Sequence, residues 1–125
     1  MLPEKLPEIS GYQSYAFYIP MDKVGGDLYD VRLVENRLFH FIADVSGHGL
    51  SSSNLSLITR MPLDAVTDIS STNRALYYLN NIIHRSTVKD NYVTAFLADI
   101  DIRANKMKLC NAGNFLLIIY RNKTG

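Results

Sequence analysis

Two aspartates set among glycines carry the chemistry of this chain: Asp27 in Val24-Gly-Gly-Asp-Leu-Tyr-Asp30, and Asp44 in Ala43-Asp-Val-Ser-Gly-His-Gly49. The segment between them reads as one hairpin, with residues 28–34 and 37–44 as strands and Glu35-Asn36 as a polar two-residue turn. With that turn Val34 faces Arg37, and carrying the register back sets Asp27 directly across from Asp44. Both side chains then lie on one face, with Cβ atoms about 5 Å apart. Opposed carboxylates repel, so the arrangement costs stability unless a cation sits between them. A hard divalent metal bound through oxygens is the simplest such cation.

The elements that must position this pair follow from periodicity. Residues 1–11 hold two prolines and a terminal glycine and read as an extended linker. Residues 12–19 are aromatic and β-branched, a first strand that stops at Pro20. On the hairpin, the Asp27/Asp44 face carries Tyr29, Val31, Leu33, Leu38, His40 and Ile42, and is expected to be buried. The opposite face is a mixture of Asp30, Arg32, Phe39 and Phe41. After Gly49, Ser51-Ser-Ser-Asn54 caps a helix to about residue 60, and Pro62 marks its end or a new first turn. A second helix is expected from Thr72 or Asn73 to about Thr87, with Ala75, Leu76, Leu79, Ile82 and Ile83 on one stripe. Period two then returns for strands at residues 92–102, 107–110 and 115–121, with a turn at Asn105-Lys106 and a break at Ala112-Gly113-Asn114. Strands on both sides of a helical block argue for an α+β fold with antiparallel sheets.

The whole chain narrows the function. At 125 residues it is one domain or less, with 47% hydrophobic and 20% charged residues, as in a soluble globular protein. Net charge is +1 with no basic block, so nucleic acid is not indicated as a partner. The run Phe115-Leu-Leu-Ile-Ile-Tyr120 is strand length and cannot cross a bilayer, and the first residues do not read as an export signal. Cys110 stands alone in a strand-like stretch and reads as a small buried hydrophobe in a reducing cytoplasm.

Other residues have plainer readings. Ser46 is not a hydrolase nucleophile, because Gly-x-Ser-x-Gly needs glycine where Asp44 stands. The glycine pairs lack both the dinucleotide and the Walker patterns. His40 and His84 read as structural histidines, and the three histidines have no zinc-ligand spacing. Asp30 points away from Asp27 and reads as a capping residue.

Together, Tyr18-x-Pro20 and the two acidic motifs resemble the sporulation-stage-II-E/sigma-regulator branch of bacterial metal-dependent (PPM) protein phosphatases, relatives of the eukaryotic type 2C enzymes. Tyr92-Val-Thr94, Asn111-Ala-Gly113 and the opening Leu2-Pro-x-x-Leu6-Pro extend the likeness. The resemblance implies an antiparallel β-sandwich flanked by helices and two Mn²⁺ or Mg²⁺ ions. It implies hydrolysis of phosphoserine or phosphothreonine on a regulatory protein, such as an anti-sigma-factor antagonist, by a metal-bound hydroxide. Carried over by motif, Asp27 and Asp44 are metal ligands and Val45 offers its backbone carbonyl. His48 is a weaker candidate, as general acid for the departing oxygen.

The family's second half holds two further acidic motifs, and Asp90, Asp99 and Asp101 match neither. Its usual Ala-Gly-His is Ala112-Gly113-Asn114 here. Residues 12–125 are therefore expected to be the N-terminal portion of such a domain, the sandwich incomplete at its C-terminus and the chain able to dimerise through the sheet surface left exposed. The alternative is a non-catalytic fragment or degenerate domain that serves as a protein-interaction module.

Overall fold

Residues 2–19, 26–46, 71–86 and 91–122 are described by the computed structural model of the chain. Strands β1 (Leu28–Val34) and β2 (Arg37–Val45) form the expected hairpin. Helix α1 (Thr72–Ser86) follows, then β3 (Val93–Asp101) and β4 (Lys106–Ala112). The four strands make one antiparallel sheet in the order β1-β2-β3-β4. Antiparallel sheet plus helix is the α+β class that the strand and helix periods indicate.

The hairpin register is the expected one: Val34 pairs with Arg37 and Leu28 with Ala43. Glu35 takes φ 54°, the left-handed value a primed hairpin turn requires at its first loop position, and the turn is braced by Ile102 N donating to Asn36 O at 2.9 Å. Between β3 and β4 the loop is residues 102–105, one position earlier than the expected Asn105-Lys106 turn, since Asp101 pairs with Lys106 and Asn105 takes φ 49°.

Helix α1 begins where Ser71 O accepts Ala75 N at 3.1 Å and carries His84 and Arg85 in its last turn, where the Arg85 cation suits the helix C-terminus. Its stripe of Ala75, Leu76, Leu79 and Ile83 packs on Leu28, Phe39, Phe41, Ala43, Val45, Ala95 and Leu97. This corrects the expectation for the faces of the hairpin. The helix covers the mixed face, and the Asp27/Asp44 face is buried only in part: Leu38, Phe96 and Ala98 are buried there, whereas Ile42 is 50% and Leu33 40% exposed. Parity alone misjudged the mixed face because its charges pair with each other. Arg32 donates to Asp30 at 2.7 Å, and Arg37 grips Asp99 through both Nε and an Nη, so the buried acids are satisfied. Cys110 is half-buried against this same core.

Two expected strands do not form. Residues 13–19 and 114–122 carry no ladder; their only neighbouring bridges are Ile9–Tyr12 and Ala95–Gly113. Strand propensity needs a neighbour that accepts its hydrogen bonds, and none of the described residues supplies one. Phe17, Phe115, Leu116 and Ile118 consequently stand 88–89% exposed. The helix expected at residues 51–60 lies outside the described residues.

Candidate metal centre

Asp27 and Asp44 sit where the open end of the β1–β2 ladder puts them. The last pair, Leu28–Ala43, leaves Asp27 one step beyond β1 and across from Asp44, the penultimate residue of β2. Their carboxyl groups are in hydrogen-bond contact. Partial burial, that hydrogen bond and then the Asp44 charge all raise the Asp27 carboxyl above its ordinary 3.8. Two carboxyl groups held this close are a site for a cation, which would offset their repulsion.

Val45 is aligned by a clamp at the end of the sheet. Ser46 N donates to Tyr92 O at 2.9 Å, and Tyr92 N donates to Ser46 Oγ at 2.7 Å. In an antiparallel ladder this makes Ser46 and Tyr92 a hydrogen-bonded pair. The N–H and C=O of Val45 therefore turn away from β3, toward the side where Asp27 lies. Two carboxylates and a carbonyl are hard oxygen donors, suited to Mg²⁺ or Mn²⁺ and unsuited to a thiophilic metal. They fit one such ion. Among the described residues no cluster of three or more His, Cys, Asp or Glu side chains is placed to hold a metal, so a second ion has no donor set there.

Tyr18 borders the pair. Its hydroxyl lies 3.4 Å from Asp27 O and its ring 6.4 Å from that of Tyr29, and burial followed by the Asp27 charge pushes its pKa up. The acids rim a cavity of about 610 Å³ on the face opposite α1, lined by Tyr18, Tyr29, Ile42, Phe96 and Leu117 among others. His40 lies in its wall, half-buried, 3.3 Å from Ser14 Oγ. His48 lies outside the described residues. Asp30, expected to cap, instead pairs with Arg32 on the helix-covered face. Sequence reasoning missed the Ser46–Tyr92 clamp, whose only sequence signal is a serine next to a strand end.

Burial holds the His40 imidazole below its ordinary 6.5. The unfolded chain then binds a proton first as the pH falls. Stability from the neutral imidazole is present above 6.5 and is lost as the pH falls from 6.5 to the lower folded value. Denaturant unfolding at pH 7.5 and 5.5 will show this loss in the native chain and a smaller one in His40→Gln. An identical loss in both would place His40 in solvent.

Comparison with known proteins adds the following. The family model described as stage II sporulation protein E matches residues 35–125. No curated protein matches the chain. Three solved structures share its fold, each aligned over 74% of this chain. They are the RsbU and RsbW domains of a Mycobacterium tuberculosis protein (21% identity, TM-score 0.65), the SiaA PP2C domain of Pseudomonas aeruginosa (22%, 0.61) and the phosphatase domain of the cell fate determinant SpoIIE from Bacillus subtilis (23%, 0.50). At these identities the likeness is one of fold. The alignments cover 27%, 39% and 40% of those chains, so this chain spans less than half their length.

Proposed function

Because this chain belongs to the stage II sporulation protein E family, we propose that it supplies the first half of a metal-dependent phosphatase site that hydrolyses phosphoserine or phosphothreonine on a regulatory protein, such as an anti-sigma-factor antagonist. The observation that carries the reading is the Asp27–Asp44 pair, two carboxyl groups set against each other at a sheet end, where burial and the neighbouring carboxyl raise the Asp27 pKa. Asp27, Asp44 and the Val45 carbonyl would hold an Mn²⁺ or Mg²⁺ ion. When bound, such an ion supplies positive charge against the phosphoryl oxygens and acidifies a water. Two nucleophilic side chains near the sheet are otherwise engaged. Ser46 Oγ is engaged by Tyr92 N, and Cys110 packs in the core under α1. With an ion bound there, an acidified water would be the attacking group, and the chain's task would be to orient and hold.

The test is hydrolysis of p-nitrophenyl phosphate and of a phosphoserine peptide by this chain with and without Mn²⁺, beside Asp44→Asn. Mn²⁺-dependent turnover that Asp44→Asn abolishes supports the reading, with further donors coming from elsewhere in the chain or from a second copy. Turnover unaffected by Asp44→Asn overturns it. Specific Mn²⁺ binding without turnover would leave the chain as a half-site and favour a partner-binding role for it.

A further inference from the structure

We propose that Thr94 is a phosphate-positioning residue of this site: its hydroxyl donates to a phosphoryl oxygen of the phosphorylated side chain beside the Asp27–Asp44 pair. The inference rests on the reading under Proposed function and adds a residue to it. Thr94 pairs with Asp44 across β2 and β3. Because Ser46 and Tyr92 are hydrogen-bonded to each other, the pair two residues further in, Asp44 and Thr94, is of the same hydrogen-bonded type, and its side chains share a face. Their Cβ atoms are then about 5 Å apart. Asp27, Asp44 and Thr94 thus form one row across β1, β2 and β3, acid, acid and hydroxyl, at the same end of the sheet.

Beyond Thr94 the row ends on Gly113, which has no side chain. A Cβ built there would lie 3.6 Å from the Thr94 methyl, in ordinary contact, so no side chain from that position reaches over the threonine. Asn111 keeps the glycine turn in place, with Oδ1 accepting Asn114 N at 2.8 Å and Nδ2 donating to Asn114 O at 3.2 Å. Thr94 is half-buried in the sheet, with its side chain on the face that carries Asp44. A hydroxyl at this position in the row is a neutral donor that a phosphoryl oxygen beside the acid pair can engage. A tetrahedral phosphoryl group spans the distance: its charge is offset at the acid pair through the bound cation, and a remaining oxygen faces the neutral donor one strand over. Threonine serves here because a neutral hydroxyl donates to the phosphate without competing for the cation.

The test uses the whole chain, Mn²⁺ and inorganic phosphate. Mn²⁺ affinity is read by electron paramagnetic resonance, and phosphate affinity of the Mn²⁺-loaded chain by calorimetry, for the native protein, Thr94→Val and Thr94→Ser. Valine keeps the shape and strand preference of threonine, so folding is retained, and melting temperatures verify it. Expected is a loss of about tenfold in phosphate affinity for Thr94→Val, near-native phosphate affinity for Thr94→Ser, and Mn²⁺ affinity within about twofold of native in both. Native phosphate affinity in Thr94→Val overturns the proposal. So does a parallel loss of Mn²⁺ affinity, which would show the hydroxyl acting through Asp44 alone. A native chain that binds no Mn²⁺ overturns the metal reading itself and this inference with it.

Discussion

Asp44→Asn is expected to change the stability of the chain in opposite directions with and without metal. Without metal, at pH 7, the variant melts higher, because it removes a charge that bears on Asp27 and replaces it with an amide able to donate to the remaining carboxylate. The pH dependence follows. Asp27 titrates above its ordinary 3.8 in the folded chain, so the folded state binds the proton first. The metal-free native chain therefore gains stability as the pH falls through the folded value toward 3.8, and loses it again on the way back up. In Asp44→Asn this slope flattens. Mn²⁺ reverses the ranking. At a concentration a hundred times its dissociation constant the ion adds about 2.7 kcal/mol to the native chain, or roughly 10 °C in melting temperature. The variant, with metal affinity lowered by about a hundredfold or more, gains little. Thermal melts of both proteins with EDTA and with Mn²⁺ decide it, and an equal Mn²⁺ shift in the two would remove Asp44 from the metal site.

Phe41→Ala is expected to cost about 3–5 kcal/mol, enough to abolish cooperative unfolding in a domain whose total stability is about 5–15 kcal/mol. Phe41 is 2% exposed, in the centre of the sheet between Asp30 on β1 and Leu97 on β3, on the face that α1 covers. The truncation leaves a ring-sized void in the cluster that joins helix and sheet among the described residues. Ile42→Ala, one residue along and on the other face, is the control. Ile42 is 50% exposed, and its loss costs about 1 kcal/mol or less. Urea denaturation of the two variants measures the difference. Equal costs would show that the Asp27/Asp44 face is the packed one in solution.

That comparison marks the limit of what the residues alone disclose. The register of the hairpin was legible, because a two-residue turn fixes every pair behind it and Glu35-Asn36 is the only polar break between two apolar runs. The extent of α1 was legible from its stripe within one or two residues. Which face of the sheet the helix covers was not. Counting apolar residues by parity ranked the face of Asp30 and Arg32 as mixed and the other as the buried one, whereas the Asp30–Arg32 and Arg37–Asp99 pairings let the mixed face go inside. Residues 12–19 and 115–121 have strand composition without strand structure, because a ladder is a property of two segments and composition describes one. For the site, the two acids were legible because glycines and register pointed to the same residues. The Ser46–Tyr92 clamp and the Asp44–Thr94 pairing join residues 46 and 50 positions apart, and no local pattern announces them.

The hairpin register also determines where this chain tolerates changes in length. Removing or adding one residue inside β1 or β2 would rotate the acid beyond it to the opposite face of the sheet, under α1, and separate it from its counterpart. An added residue at Glu35-Asn36 is absorbed by a longer loop, and every pair behind it keeps its partner. Insertions and deletions in descendants of this sequence should therefore gather at that turn, and the number of residues from each acid to the turn should drift far more slowly than the residues themselves.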